Sequence, residues 1–211
     1  MTGPKKIVAD GYDRIAEDYR PWSDARGSGA RRRFLTESLA LIPPGSDVLE
    51  LGCGPGVDAT RLSEGRRYTG IDLSPVMLSL AQERVPSGSF LLRDLASLDM
   101  PIESLDGVVA FYLFSHLPAS EHVPAFARIF RWLRPGGVFC SSFPSGQGDG
   151  VQEDFIGVPM FFGGIGHAAT EASLLEIGFS IERSELEQEV KEDSSVAFLW
   201  VIARKPDQPD S

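Results

Sequence analysis

The segment DVLELGCGPG at residues 47–56 constrains the fold more than any other stretch of this chain. An apolar run with the character of a buried strand ends at Leu51, and the glycine-rich loop 52–56 follows at once. In open α/β sheets, ligands bind beyond the carboxyl ends of the parallel strands, where the strand order reverses. The segment therefore predicts an α/β sheet whose first strand leads directly into a ligand-binding loop.

Strand-like and helix-like segments alternate after this loop, as far as the strand pattern VFCSSF at 138–143. This alternation predicts right-handed crossovers and a doubly wound parallel sheet with helices on both faces. The last two strand patterns, FSIERSELEQEV and SVAFLWVIARK, are separated by a short turn and predict an antiparallel hairpin at one edge. The expected fold class is a Rossmann-like α/β sheet of seven strands, mostly parallel, with an antiparallel C-terminal hairpin.

These patterns predict one domain over residues 1–205 and a disordered tail over 206–211. Two helices, the first ending at Pro21 and the second over residues 30–41, would form a helical cap (1–42) over the active site. The segment 146–167 shows no regular pattern and is expected to be irregular. Since long loops in compact domains are usually functional, the region 144–168 is expected to act as a lid-like insert.

The acidic composition argues against nucleic-acid and membrane partners. The formal net charge is −10 and the isoelectric point is about 4.8, so the average surface repels polyanions. The only arginine run, ARRRF at 30–34, is expected to be a solvated helix face. No apolar run approaches the ~20 residues of a membrane helix, and no secretory signal is recognisable. A cytoplasmic location is therefore expected, with Cys53 and Cys140 as buried packing residues.

Two features of the glycine loop discriminate between possible cofactors. The dinucleotide fingerprint requires its third glycine at the position that Val57 occupies here. Glu50 lies two residues before Gly52, where a carboxylate would repel a pyrophosphate and attract an ammonium or sulfonium group. S-adenosylmethionine carries both cationic groups and no phosphate, so the loop favours this cofactor.

Two more carboxylates end the following predicted strands. Asp72 ends the second strand, where a carboxylate can accept two hydrogen bonds from a ribose diol. Asp94 ends the third strand, where a carboxylate could accept a hydrogen bond from an adenine amino group. Both positions suit a nucleoside that lies across the carboxyl ends of the strands.

Four segments in order resemble the motifs of class I S-adenosylmethionine-dependent methyltransferases: ELGCGPG, GIDLS, LLRDL and LRPGGVF. The first matches the family pattern without a departure, and the resemblance covers about residues 7–204. It implies S-adenosylmethionine as the cofactor. The residues that it implies for cofactor binding are Glu50, Gly52, Cys53, Gly54, Gly56, Asp72, Leu73, Met77, Asp94, Leu95 and Phe111.

The resemblance also implies a role for most of these positions. The glycines would let the backbone approach the methionine part, beside Phe111, and Glu50 would hold its amino group directly or through water. Asp72 would bind the ribose hydroxyls. Leu73 and Met77 would flank the adenine, whose amino group would face Asp94 and the backbone of the next residue.

Tyr12 and Tyr19 lie on the first predicted helix, in a segment that resembles YD-x-IA-x-x-Y. In small-molecule methyltransferases this segment closes over the cofactor, so both tyrosines are candidate cofactor contacts. The alternative interpretation is that they are ordinary packing residues of the helix.

His116 lies just beyond the fourth predicted strand, where it would face the transferred methyl group. It is the first candidate for a general base or acceptor contact, and His167 is a weaker one. The alternative for His116 is a loop histidine that caps the next helix. The segment resembles a bacterial subgroup with Y-x-x-x-H-x-P here and GVPMF in the insert. This resemblance implies no particular acceptor.

The insert would cover an acceptor pocket with an apolar wall made by Phe155, Met160, Phe161 and Phe162. Ordinary packing of the insert on the domain is the alternative. The three histidines lack metal-ligand spacing and no carboxylate cluster indicates magnesium, so no metal is expected.

The function predicted from these observations is S-adenosylmethionine-dependent methylation of an O, N or C atom of a small molecule with apolar character. One alternative is a protein that binds S-adenosylmethionine without methylating, as a cyclase-like catalyst or a regulatory module. A nicotinamide-dependent oxidoreductase is a weaker alternative. Nucleic-acid acceptors are disfavoured because FYLF replaces the Asp/Asn-Pro-Pro-aromatic motif that stacks a flipped base. The oligomeric state is not predicted.

Overall fold

A seven-stranded sheet forms the centre of the computed structural model, which describes residues 3–25, 29–191 and 194–207. The strands of the described residues are β1 (Asp47–Leu51), β2 (Arg67–Asp72), β3 (Ser89–Leu92), β4 (Leu105–Ala110), β5 (Leu133–Pro144), β6 (Gly150–Phe155), β7 (Val158–Phe162), β8 (Ser180–Lys191) and β9 (Ser194–Arg204). Of these, β6 and β7 form a separate two-stranded sheet. The order in the sheet is β3-β2-β1-β4-β5-β9-β8. The first five strands pair in parallel and β9 pairs antiparallel with β5 and β8. The predicted fold class is confirmed.

The helices are α1 (Pro4–Ala25), α2 (Gly29–Leu41), α3 (Ala59–Ser63), α4 (Pro75–Arg84), α5 (Ala119–Trp132) and α6 (His167–Ile177). Hydrophobic clusters lie on both faces of the sheet, one including α5 and α6 and the other including α2 and α3. Because successive strand residues point to opposite faces, the neighbours Val108 and Val109 of β4 belong to different clusters.

The prediction that the first helix ends at Pro21 is wrong, because α1 continues to Ala25. Pro21 has no N–H to donate to the carbonyl four residues earlier, so the last turn needs other support. Ser23 Oγ donates to the carbonyl of Arg20 at 2.9 Å. Asp24 forms an ion pair with Arg84 of α4 at 2.9 Å. A tertiary contact thus helps to hold a turn that the local sequence disfavours.

The prediction of an irregular segment at 146–167 is also wrong. β6 and β7 form an antiparallel hairpin, joined by Ile156 and Gly157 with φ values of 53° and 82°. Such a two-residue turn usually carries Asn-Gly or Asp-Gly, so the dipeptide Ile-Gly does not predict a hairpin. β7 packs on α1 closely enough that a Cβ on Gly11 would lie 2.8 Å from Met160.

Other expectations concern the cysteines, the tail and membranes. Cys53 and Cys140 are free and buried, as predicted. Residues 208–211 of the expected disordered tail lie outside the described residues. Within the part of the chain that the structure describes, no helix is both long and apolar enough to cross a membrane.

The contrast between two adjacent leucines of α6 tests the packing of the sheet against this helix. Leu174 is fully buried in the core, whereas Leu175 is 55% exposed. We expect Leu174→Ala to lower the free energy of unfolding by about 2–5 kcal/mol through a cavity. Leu175→Ala, the matched control, should stay within about 0.5 kcal/mol. Urea denaturation measures both, and equal losses would contradict this packing.

Candidate functional site

A cavity opens at the carboxyl ends of β1 and β2, beside the glycine loop. It lies where the strand order reverses between β1 and β4. Most of the residues predicted for cofactor binding line it. They are Tyr12, Tyr19, Gly52, Cys53, Gly54, Asp72, Leu73, Met77, Asp94, Leu95 and Phe111. Glu50 and Gly56 are the two predicted residues that do not.

The glycine loop has a backbone that side chains would disturb. Gly52, Gly54 and Gly56 have φ values of 68°, 51° and 76°, a region that L-residues rarely adopt. A Cβ on Gly54 would meet no atom within 4 Å, whereas one on Gly56 would lie 3.1 Å from Ala81 of α4. Gly54 therefore faces the cavity, and Gly56 serves the close packing of the loop against α4.

Asp72 holds the glycine loop against the end of β2. Its Oδ2 accepts a hydrogen bond from the backbone N–H of Gly54, and its Oδ1 accepts one from Ser74, both at 2.9 Å. Burial raises the pKa of this carboxyl group, while the backbone hydrogen bonds oppose that rise. Each oxygen retains a second lone pair, so the carboxylate can still accept from a ligand.

Glu50 lies behind the loop rather than on the cavity wall. It is 3% exposed, and its carboxylate accepts a hydrogen bond from the hydroxyl of Tyr68. Burial, together with the negative charge of Asp58, raises the pKa of Glu50 to about 8. The predicted contact with the cofactor amino group stays a prediction, since Glu50 does not line the cavity.

Arg31 is a site residue that the sequence analysis missed. The arginine run was expected to be solvated, but Arg31 lies buried against the cavity and forms an ion pair with Asp58 at 2.7 Å. Its guanidinium also lies 5.8 Å from the ring centre of Tyr112. The two members of the ion pair are 27 residues apart, so no local pattern announces their contact.

Asp94 is already engaged at the far end of the cavity. Its carboxylate accepts from the backbone of Ala96 at 2.8 Å and forms an ion pair with Lys5 of α1 at 3.0 Å. Lys5 also pairs with Glu121 at 2.9 Å. β3 ends at Leu92, so Asp94 lies two residues beyond the strand and not at its last position. An adenine amino group would therefore share Asp94 with Lys5.

Tyr12 joins α1 to the catalytic candidate His116. The Tyr12 hydroxyl lies 2.8 Å from His116 Nε2, and His116 Nδ1 lies 2.9 Å from the carbonyl oxygen of Phe161. A carbonyl only accepts, so Nδ1 carries the proton and Nε2 accepts from Tyr12. Burial lowers the pKa of His116 to about 4, which keeps the ring neutral at physiological pH.

A second cavity adjoins the first and shares six lining residues with it. The shared residues are Tyr12, Tyr19, Ser23, Arg31, Tyr112 and His116. The segment 144–152, the hairpin β6–β7 and residues 196–198 of β9 supply most of the remaining wall. Two ligands could therefore meet at the shared residues.

The insert contributes unevenly to this second cavity. Phe155 and Phe162 line it, whereas Met160 and Phe161 are buried in the packing between the hairpin and α1. His167 begins α6, is exposed and lines neither cavity, so the structure does not bring it to the site. Among the described residues, no group of three or more His, Cys, Asp or Glu side chains could hold a metal ion.

The sequence comparisons agree with the family that the motifs resemble. Residues 48–137 match a family model described as a methyltransferase domain. A trans-aconitate 2-methyltransferase of Delftia acidovorans is 33% identical over 171 residues, 76% of this chain and 63% of that protein. These matches confirm the resemblance to class I S-adenosylmethionine-dependent methyltransferases that the motifs indicated. It spans less than two thirds of the length of that curated relative.

Solved structures agree on the fold. A Burkholderia thailandensis 1,6-didemethyltoxoflavin-N1-methyltransferase, solved with 1,6-didemethyltoxoflavin and S-adenosylhomocysteine, has a TM-score of 0.70 and 23% identity, covering 98% of this chain and 92% of that chain. The [4+2]-cyclase SpnF has a TM-score of 0.72 and 19% identity, covering 98% of each chain. At these identities the likeness shows the fold alone, so the cyclase does not support a function without methylation.

The buried Glu50 should make stability depend on pH. Its folded pKa of about 8 lies above the ordinary value of 4.5, so the unfolded chain loses this proton first as the pH rises. The contribution of Glu50 to the free energy of unfolding is complete below pH 4.5 and is lost as the pH approaches 8. We expect Glu50→Gln to gain stability relative to the wild type between pH 5 and 8. Urea denaturation at several pH values measures this gain, and parallel curves would contradict it.

Proposed function

We propose that this protein transfers the methyl group of S-adenosylmethionine to a small-molecule acceptor with apolar character. The observation that carries the proposal is the pair of adjoining cavities, which meet at Tyr12, Arg31 and His116. The first cavity has the glycine loop and Asp72 of the family motifs, so it is the site for the methyl donor. The second has aromatic walls suited to an organic acceptor.

The residues of the first cavity fit the cofactor part by part. Asp72 would accept hydrogen bonds from the ribose hydroxyls through its remaining lone pairs. Met77 and Leu73 would flank the adenine, and Asp94 would receive its amino group beside Lys5. Gly54 leaves room for the methionine part, and Glu50 lies buried behind the loop.

The donor and acceptor would react by in-line displacement at the sulfonium carbon. A lone pair of the acceptor forms the new bond to the methyl carbon, and the electrons of the broken bond stay on sulfur. Positioning supplies much of the rate, because the sulfonium is already a good leaving group. If the acceptor carries a proton, Tyr12 can receive it while passing its own hydroxyl proton to His116 Nε2.

The organisation of the chain follows from this assignment. We take residues 1–205 as one methyltransferase domain, in which α1 and α2 cap the active site and the insert 144–168 walls the acceptor cavity. The contacts of α1 with β7 and α4 support the role of a cap. The net charge of −10 supports a metabolite acceptor over a nucleic acid, and we propose that the protein acts in the cytoplasm.

Asp72 provides the first test of the donor site. Asp72→Ala should weaken S-adenosylmethionine binding by about 1–3 kcal/mol, or roughly 5- to 150-fold, through lost hydrogen bonds to the charged group. The exposed Asp99 is the matched control, and Asp99→Ala should leave the affinity unchanged. Isothermal titration calorimetry measures both variants. Formation of S-adenosylhomocysteine with an acceptor then tests transfer itself; cofactor binding with no turnover on any acceptor would contradict the proposal.

Tyr12 and His116 provide the test of proton transfer. Tyr12→Phe keeps the ring contacts but removes the hydroxyl, so turnover of a protonated acceptor should fall by about 10² or more. Cofactor affinity should remain near that of the wild type. Because His116 has a pKa of about 4, wild-type turnover should be lost only as the pH falls towards that value. Unchanged turnover in Tyr12→Phe would show that Tyr12 and His116 contribute packing only and do not transfer a proton.

A further inference from the structure

Aromatic side chains line the second cavity from two directions. Phe162 lies 5.0 Å from His116 and 5.4 Å from Phe155, measured between ring centres. A second pair, Tyr112 and Phe198, packs edge to face at 5.1 Å between ring centres. Both groups line the same cavity but come from different elements. Phe155 and Phe162 belong to the hairpin, whereas Phe198 belongs to β9 and Tyr112 to the segment after β4. A ligand here would meet ring surfaces from two directions.

Glycines make up much of the remaining wall. Gly146, Gly148 and Gly150 line the cavity, and a Cβ on any of them would meet no atom within 4 Å. Gly148 has a φ of 102°, which explains why this position is a glycine. Gly146 and Gly150 have neither a positive φ nor a close neighbour, so neither backbone nor packing requires glycine there. This part of the wall is exposed and carries no side chain at these three positions.

Charged side chains are few among the described lining residues of this cavity, which also include tyrosine, serine and glutamine side chains. Among its described lining residues, Arg31 is the one cation, and it is already ion-paired with Asp58. Asp149 is the one acidic lining residue. Ser115 is buried beside His116, and its hydroxyl has no hydrogen-bond partner in the described part of the chain. The wall therefore offers little to a polyanion and more to an apolar molecule with one or two polar atoms.

We propose that the second cavity takes a flat aromatic or heteroaromatic acceptor and that its methylated group is a hydroxyl or a ring N–H. The inference rests on the methyl transfer proposed above. The ring system lies between the aromatic side chains and the glycine backbone. Its nucleophilic atom faces the donor at Tyr12, whose oxygen receives the proton while His116 takes the tyrosine proton.

The geometry disfavours an aliphatic polycarboxylate in the same place. Such a ligand would bring several negative charges into a cavity whose cation already has a carboxylate partner. Burying an uncompensated carboxylate costs far more free energy than the burial of an aromatic ring gains at the same place. The 33% sequence identity to a trans-aconitate 2-methyltransferase is therefore not evidence that this chain methylates the same acceptor.

Three probes of graded shape test the inference on the protein loaded with S-adenosylhomocysteine. Naphthol is flat and carries one hydroxyl, decahydronaphthol has the same skeleton without the flat rings, and citrate is an aliphatic tricarboxylate. Calorimetry should show naphthol binding at least tenfold more tightly than either of the others. Equal or tighter binding of decahydronaphthol or citrate would overturn the inference.

Leucine variants show whether ring stacking is responsible. Phe162→Leu and Phe198→Leu keep an apolar side chain but remove the ring, and each should weaken naphthol binding by about threefold to tenfold. Phe130→Leu is the matched control, because Phe130 packs on Phe179 at 4.9 Å and lines neither cavity. No effect of the two cavity variants beyond the control would count against the inference.

The outcomes separate this inference from the proposed function. Formation of S-adenosylhomocysteine is measured with naphthol and with further flat hydroxylated ring compounds. Binding in the expected order without any product contradicts methyl transfer but leaves the aromatic cavity standing. Product formed preferentially from aliphatic acceptors supports methyl transfer and overturns the aromatic acceptor. Turnover that follows the binding order supports both.

Discussion

The hydrogen bond from the backbone of Gly54 to Asp72 is the interaction on which the rest of the site depends. It joins the loop after β1 to the last residue of β2, two elements that carry the cofactor motifs. The same carboxylate accepts from Ser74, whose hydroxyl in turn accepts from Met77 and starts α4. One side chain thus sets the positions of the loop, the strand end and the next helix. A ligand that uses Asp72 meets a group already held in place by the backbone.

Two buried carboxyl groups and one arginine lie around the glycine loop. Glu50 and Asp58 are both buried, and one arginine, Arg31, compensates them from α2. Since buried carboxylates are costly without a partner, the raised pKa of Glu50 reflects the incomplete compensation. A cation bound beside the loop would favour the ionised form of Glu50 and so lower its pKa. Binding of a cationic ligand and ionisation of Glu50 therefore favour each other.

Much of the fold was predictable because strand and helix periodicity and the strand-end motifs are local features of the sequence. The doubly wound sheet, the terminal hairpin and most of the donor-cavity residues were read from such features. The missed parts depend on contacts between distant segments. Arg31 meets Asp58 only after α2 packs on the sheet, and α1 passes Pro21 with help from Arg84. The hairpin at 150–162 lacks the usual turn residues, so only its packing on α1 identifies it.

Because of its position, α1 links the binding of one ligand to the binding of the other. Tyr12 and Tyr19 belong to the walls of both cavities, and the same helix packs on β7 of the acceptor side and on α4 of the donor side. Any displacement of α1 that admits one ligand therefore also dismantles part of the binding surface of the other. The walls of both cavities thus depend on the position of one helix. A spent donor that leaves by displacement of α1 cannot do so while the acceptor cavity keeps its complete wall.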